Sequence, residues 1–420
     1  MPNTTLTADI IASEALDILE DELVMANLVH RAHENEFTRG VNGYTVGDTL
    51  TVRRPADFTV RDGATASAQD VVEGKTTIAI DRQKGIDFKF TSADLTLKIG
   101  ELSERVIRPA VVQLASEVDL DLMALYRNVP NHVTIPSGGI DSFADYALAP
   151  TRMDTCAIPQ DQRYAILSPA DHWKMLGSQT ALYIQDAAKG AYRNAKLGTI
   201  GGVETYMSHN VPVHTTGTRT GTDAIDLTIV DGTFTWANVK NASTITIHID
   251  GMAAAASTIA HGDTFTIAGL HDVHPVTKAR LPHLKMFAVL ELATASSNET
   301  DVKIWPPIIL SGAQKTYDLD TTVDGADLDN NVVTWQGTAS TNYTQNLFFH
   351  RNAFALCMVP MEKPPGAVDV ARKSFKGLSI RLIPYYDGAN DISNWRLDIL
   401  YGVKCIDPRL AVRASLAADI

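Results

Sequence analysis

The chain has 420 residues, 45% of them hydrophobic, and 36 Lys and Arg against 49 Asp and Glu give a formal net charge of -13. That length exceeds what one core usually organises, so two or more domains are expected. The acidic balance excludes tight wrapping of nucleic acid, which is driven by Lys and Arg displacing counterions from phosphate, but not lying beside DNA, because a surface that repels phosphate lets DNA slide past. No run of about 18 apolar residues is present to span a bilayer. The segment MPNTTLTADIIASEALDILEDE puts an acidic helix where a signal peptide needs a basic start and an apolar block, so the chain is expected to stay in the cytoplasm. Its three cysteines, Cys156, Cys357 and Cys405, lack metal-type spacing and are too few for a disulfide framework, which fits a reducing compartment.

In chain order, Thr7 caps a predicted helix running to about Leu28, with Ile11, Ala15, Leu16, Leu19 and Leu23 as its apolar stripe. Glu14, Asp17, Glu20, Asp21 and Glu22 crowd the remaining surface. Such a density of one sign is either a solvated face or a docking arm whose field steers a basic partner.

From Phe37 to Phe90 the texture becomes strand-like, in TVGDTLTVRRP, PADFTVRDG and TTIAIDRQKGIDFKFT. DGATASAQDVVEG, small and polar, reads as the tip of a long two-stranded excursion. A ribbon of two strands has little core of its own, so a neighbour is expected to supply the missing contacts.

Glu101 to Arg127 is the longest periodic stretch. Ile107, Val111, Leu114, Val118, Leu122 and Leu125 fall on one stripe, while Gln113, Ser116, Glu117, Asp119 and Asp121 are expected to face elsewhere. A continuous helix here would span roughly 40 Å, enough to act as a spine under a flat molecule. Pro109 bends it or marks a second start.

After a Pro- and Gly-rich crossing, short helices and strands alternate. SFADYALAPTRMDTC reads as helix, RYAILS as a buried strand, and SPADHWKMLGS as a helix capped by Ser168 with Pro169 in its first turn. ALYIQDAAKGAYRNAKL then gives a helix, followed by a glycine turn at Gly201 and Gly202 and a strand toward Pro212. From Ala224 to about Gln336 nearly every element reads as a strand: IDLTIV, TFTW, STITIHID, GDTFTIAGL, HPVTKA, LKMFAVLEL, TDVKIWPPIIL and NVVTWQ. Spacing of roughly ten residues between strands is the pattern of a small closed barrel or sandwich. Mixed texture resumes afterwards, so this is a domain inserted into another. NLFFHRNAFALCMVPMEKPPG is expected to contain a helix, and SFKGLSIRLIPYYD with NWRLDILYGVKCIDPRLAVR to form a hairpin turned at Asp387-Gly388 beside the spine.

Catalytic patterns are missing. His30, His33, His271, His274 and His283 do not pair with cysteines or carboxylates at zinc-site spacing. Asp318, Asp320, Asp324, Asp327 and Asp329 miss the calcium-loop pattern, because Thr322 holds the third ligand position and no closing Glu follows. Gly198, Gly201 and Gly202 precede a strand, whereas a dinucleotide fingerprint follows one. Neither a Walker A motif nor a nucleophile elbow is present. Trp305 and Trp335 could stack a sugar but read more readily as core aromatics. The chain therefore reads as a non-enzyme without cofactor or metal.

The order of parts is diagnostic. An acidic arm, a β excursion, a spine helix, a body with GTIGGVETYMSHNVPV, an insertion carrying GDTFTIAGLHDVHPVTKA and WPPIILSGAQKT, then NLFFHRNAFALCMVPMEKP and a closing hairpin resemble the major coat protein of tailed bacteriophages. More narrowly they resemble the P-twenty-two-type coat family, over essentially the whole chain. The resemblance implies an α+β fold of the Hong Kong 97 type with an inserted small β-barrel. Its parts would be an N-terminal arm (1–36), an E-loop with flanking strands (37–90), a peripheral domain with the spine helix (91–142), an axial domain (143–215), the barrel (216–336), an axial return (337–375) and closing peripheral strands (376–420).

It further implies an icosahedral shell of hexamers and pentamers, assembled in the host bacterial cytoplasm with a scaffolding protein and a portal protein. That shell expands as double-stranded DNA is packaged without sequence-specific binding, and no membrane is involved. On this reading Glu14, Asp17, Glu20 and Asp21 are candidates for scaffold docking, and Arg53, Arg54, Arg61 and Asp62 are E-loop candidates for contact with a neighbouring subunit. Some relatives of the fold weld subunits with a Lys-Asn isopeptide bond; Lys75 lies near the excursion, but no carboxylate and asparagine partner set is evident. The alternatives are an encapsulin-like cellular compartment, disfavoured by the insertion and the acidic arm, and a carbohydrate-binding or hydrolytic surface protein, disfavoured by the missing carboxylate pair.

Overall fold

The computed structural model describes residues 8–31, 49–91, 106–180, 197–226, 239–320, 330–364 and 370–416, apart from short interruptions within 55–72 and at 137–138, 220, 242, 253–256, 297, 310–311 and 389. The chain divides into two compact units. The first comprises 1–51, 77–122 and 354–404, and the second 52–76, 123–353 and 405–420.

Helix α1 (Ala8–Glu22) and one-turn helix α2 (Met25–Leu28) come first. The expected single helix breaks at Leu23 and Val24, while the predicted stripe is buried: Ile11, Ala15, Leu16, Leu19 and Leu23 are each at most 5% exposed. Thr7 lies outside the described residues. Strands β1 (Thr49–Arg53) and β2 (Lys75–Ala79) pair as an isolated ribbon, followed by β3 (Arg82–Thr91). PADFTVRDG forms no strand among its described residues. Helix α3 (Arg108–Met123) is the spine; Pro109 sits in its first turn, where the missing N–H costs nothing. Ile107, Val111, Leu114, Val118 and Leu122 are buried as expected, but so is Asp119, at 2% exposure.

Next come β4 (His132–Ile135), α4 (Phe143–Thr155), β5 (Arg163–Leu167), α5 (Pro169–Thr180), β6 (Gly198–Ile200), β7 (Val203–Met207) and β8 (Val213–Thr215). The capping expectation holds: Ser168 Oγ accepts the Asp171 N–H at 3.2 Å, and Ser142 does the same for α4. The helix expected from ALYIQDAAKGAYRNA lies outside the described residues. Strands β9 (Gly221–Ile225), β10 (Ile245–Met252), β11 (Thr258–Ile259), β12 (Thr264–Val273), β13 (Arg280–Val289), β14 (Ala293–Thr294), β15 (Thr300–Trp305), β16 (Tyr317–Leu319) and β17 (Val333–Trp335) follow. HPVTKA is a turn closed by the Lys278 N–H on the His274 carbonyl, not a strand.

The return segment corrects the sequence reading most. Where a helix was expected in NLFFHRNAFALCM, β18 (Asn342–His350) and β19 (Phe354–Met358) are joined by a single 3-10 turn. Leu347, Phe348 and Phe349 are all fully buried, and a run buried on both faces has no period-2 signature to separate it from a buried helix. β20 (Ala371–Phe375), β21 (Leu378–Asp387), β22 (Ile392–Cys405) and β23 (Ala411–Leu416) complete the chain.

In the first unit β22 pairs with β3, β19 and β21, and β20 extends from β21, giving five strands. The expected hairpin is present, with Leu382 opposite Leu397. Helix α1 packs on β20 and β21. The spine is tied to this sheet by the Tyr401 hydroxyl donating to Asp121 at 2.7 Å and by Arg82–Asp121 and Lys84–Glu117 ion pairs at 2.7 and 3.0 Å. Gly402 is required where β22 passes under the ribbon's return, because a Cβ there would lie 2.0 Å from the Ala79 carbonyl oxygen.

Two seven-stranded sheets make up most of the second unit. One runs β4-β23-β18-β5-β7-β6 with β8 also on β18; β23–β4 and β5–β7 are parallel. Helix α4 covers β4 and β23 around a core of Tyr146, Met153, Phe348 and Val412. The other runs β16-β12-β13-β15-β10-β9 with β17 also on β12, around Phe265, Ile247, Phe287, Val302 and Ile304. An isolated bridge joins Ala224 to Val332.

Candidate functional site

Three places hold the chemistry that a multi-copy assembly could use: the acidic helix, the ribbon and a polar junction between the two large sheets. On α1 much of the acidity is answered locally. Lys376 donates to Glu20, Lys373 lies 3.8 Å from Asp9, and Arg108 lies 3.6 Å from Glu22. Glu14 is half-buried, whereas Asp17 and Asp21 are exposed. The packing of α1 on the first unit's sheet therefore divides the four predicted docking residues.

The ribbon carries Arg53, which reaches Glu73 at 3.3 Å, and Arg54, whose backbone N–H closes on Gly74 at 2.8 Å. The Arg54 side chain donates to Ser243 and is half-buried, and burial lowers its pKa. Asp57 meets Lys278 at 3.5 Å and Arg409 at 3.9 Å. Arg61 and Asp62 lie outside the described residues. Phe58, Val60 and Val71, by contrast, stand 57%, 97% and 63% exposed. All three lie in the segment that joins β1 to β2.

The junction was not anticipated. Asp272, 3% exposed, receives Lys285 at 2.8 Å, His283 at 3.3 Å and Arg152 at 3.3 Å, so α4 is fastened to β12 and β13 through one carboxylate. Burial pushes its pKa up, but Lys285 and the other two partners outweigh burial and hold it well below the usual carboxylate range. Asp263, 1% exposed, is met by His214 at 2.9 Å and Arg219 at 3.1 Å, and accepts the Gly217 and Ala260 backbone N–H groups. The Tyr126 hydroxyl lies 2.9 Å from His214 Nδ1. With Asp263 accepting from Nε2, the network assigns a neutral, Nε2-protonated imidazole. His132 bridges Thr264 at 2.8 Å and Ser415 at 2.5 Å, and burial holds its pKa well below the ordinary value. Both aspartates belong to the GDTFTIAGLHDVHPVTKA stretch, Asp263 just before β12 and Asp272 near its end, and no local pattern marks either as buried.

His271 Nε2 lies 3.8 Å from Asp320 and His283 Nε2 3.3 Å from Asp272, and His33 lies outside the described residues. The acidic loop contributes β16, with Asp318 paired to Lys315 at 3.0 Å; Asp324, Asp327 and Asp329 are not described. Trp335 donates to Asp223 and lies under the Arg219 guanidinium, 4.8 Å from it, so its indole is taken up by core contacts. Among the described residues, Asp226, His248 and Glu299 place ligand-type atoms within 4.8 Å of one another. The His248 nitrogens are already met by Asp301 at 2.8 Å and Glu299 at 3.4 Å, which raise its pKa.

The sequence matches the family model described as P22 coat protein, gene protein 5, over residues 2–413. A relative named major capsid protein, from Acyrthosiphon pisum secondary endosymbiont phage 1, is 21% identical over 419 residues, covering 96% of each chain. Among solved structures, one from Mycobacterium phage Che8 is 14% identical with a TM-score of 0.49, covering 93% of this chain and 90% of that one. The mature capsid of bacteriophage PhiM1 is 12% identical with a TM-score of 0.43, covering 88% and 82%. The family match over residues 2–413 places the chain in the class of phage coat proteins. It belongs to the P22 coat protein family. Its role is that of a capsid shell protein of a phage virion, building a multimeric coat.

Proposed function

We propose that the chain is the principal subunit of an icosahedral procapsid of Hong Kong 97-type architecture. It assembles around a scaffolding protein and a portal in the host cytoplasm and expands as double-stranded DNA enters. Family membership over residues 2–413 carries this reading. The division into arm (1–36), E-loop (37–90), peripheral (91–142, 376–420), axial (143–215, 337–375) and inserted (216–336) parts follows from it.

Particular observations support the finer points. The Ala224–Val332 bridge links β9 to the segment leading into β17, which itself pairs with β12; a sheet whose two ends meet in this way favours the inserted barrel. The exposed Phe58, Val60 and Val71 on the ribbon favour an E-loop completed by another copy. Contacts of this kind are individually weak, and a closed lattice multiplies them, so misplaced subunits can still dissociate. Asp17 and Asp21, exposed and without an ion pair among the described residues, favour a basic scaffold segment meeting α1. The net charge of -13 favours a lumen that does not grip DNA.

Coexpression of the chain with its scaffolding protein, followed by velocity sedimentation, tests the proposal. Fast-sedimenting particles containing both proteins are expected, and small oligomers alone would contradict it.

A further inference from the structure

A polar cavity of about 100 Å³ opens between the two large sheets of the second unit. Thr134 and Thr338 are exposed at its mouth, and its floor is formed by Arg413, Gln345, Ser415 and His132. A cavity of that size has room for several waters or one small ion.

Arg413 is 1% exposed. Its Nη2 donates to the Gly262 carbonyl at 2.6 Å, and its Cζ lies 5.8 Å from the Tyr126 ring centroid. Nε and Nη1 have no hydrogen-bond partner among the described residues. The nearby carboxylate of Asp263 does not answer them, because His214, Arg219 and two backbone N–H groups already occupy both of its oxygens. A buried guanidinium with two donors unmet is a costly arrangement, since those N–H groups have lost water without gaining a hydrogen-bond partner. Nε–H and Nη1–H lie on different sides of the guanidinium, so each is a separate charged donor of the kind an oxyanion oxygen accepts.

Gln345 narrows the chemistry. It is 1% exposed and its amide is oriented by the Nε2 donation to the Tyr343 carbonyl at 3.1 Å, leaving Oε1 as a buried acceptor without a donor. One wall therefore offers donors and another wants one. Sulfate and chloride can only accept. A hydrogen phosphate ion accepts from Arg413 and donates its own O–H to Gln345.

We propose that this cavity binds a single inorganic hydrogen phosphate, held by Arg413 and Gln345, which braces β23 and β18 against the β12 end of the neighbouring sheet. The small volume favours the free ion over a phosphate carried on a polymer.

Equilibrium dialysis of the full-length chain against radiolabelled inorganic phosphate, at fixed ionic strength in chloride, tests this. About one phosphate per chain is expected, with sulfate competing roughly tenfold more weakly, the difference one hydrogen bond makes. Arg413→Gln should abolish uptake, and Gln345→Leu should erase the preference over sulfate. Both are core positions, so the wild-type result stands alone: absent or non-saturating uptake by the folded wild-type chain overturns the proposal. Equal affinity for sulfate, or undiminished uptake by a folded Arg413→Gln chain, overturns it as well.

Discussion

The Asp119 carboxylate accepts the backbone N–H of Val24 at 2.7 Å, and its second oxygen accepts that of Ala26 at 3.0 Å. A residue from the middle of the spine thus satisfies the donors left open where α1 ends and α2 begins. Helix starts leave such N–H groups unmet, and here no local side chain caps them. Asp119→Ala should cost about 2–4 kcal/mol, because two buried donors lose a charged acceptor together. The check is amide hydrogen exchange at Val24 and Ala26 alongside thermal unfolding. Unchanged protection at both amides would contradict the capping role.

Asp272 gathers Arg152, His283 and Lys285, which are 12%, 28% and 17% exposed in their side chains. Asp272→Asn removes the common counter-charge and should destabilise the second unit by about 3–5 kcal/mol. The native pKa of Asp272 is depressed, so its contribution is full above the unfolded value near about 4 and is lost as pH falls through the native one. Acid unfolding followed by circular dichroism should therefore be less steep below about pH 4 in the variant than in the parent. Identical acid profiles would count against the assignment.

His132 and His214 are held neutral, with pKa values lowered first of all by burial. Protonation is easier in the unfolded chain, so stability should fall as pH drops below the ordinary imidazole value of about 6.5, by up to about 1.4 kcal/mol per pH unit for each histidine. Denaturation midpoints between pH 7 and 5 measure this, and His132→Gln should flatten the slope. A stability that rises toward pH 5 would show that other groups dominate.

Asp17→Lys with Asp21→Lys reverses exposed charge on α1 without touching the Glu20–Lys376 pair. The double variant should fold normally and lose scaffold from its particles, read as the scaffold-to-coat ratio on gels of purified particles. A wild-type ratio would remove α1 from the scaffold contact.

How much the sequence revealed depended on whether one element could express it. The stripe from Ile11 to Leu23 and the caps at Ser142 and Ser168 are local, and each was legible. Asp119 looked like a solvent-facing helix residue because its reason to be buried lies 93 to 95 positions earlier in the chain. Arg152 and Asp272 are 120 positions apart, and no period or motif connects them. Leu347–Phe349 and Phe354–Met358 fail for the opposite reason: each is a short apolar run buried at every position, and burial of both faces leaves no alternation to mark a strand. The candidate assembly surfaces were legible only as regions, since charge density on α1 does not reveal which carboxylates are already paired.

The central claim is that the subunit is completed by its neighbours through the ribbon. Electron microscopy of the full-length chain and of a chain lacking residues 62–73, each expressed with the scaffolding protein, tests it most directly. Closed spherical shells from the full-length chain and only soluble, folded subunits from the deletion are predicted. Shells in equal yield from both, or a full-length chain that stays monomeric at high concentration, would contradict it.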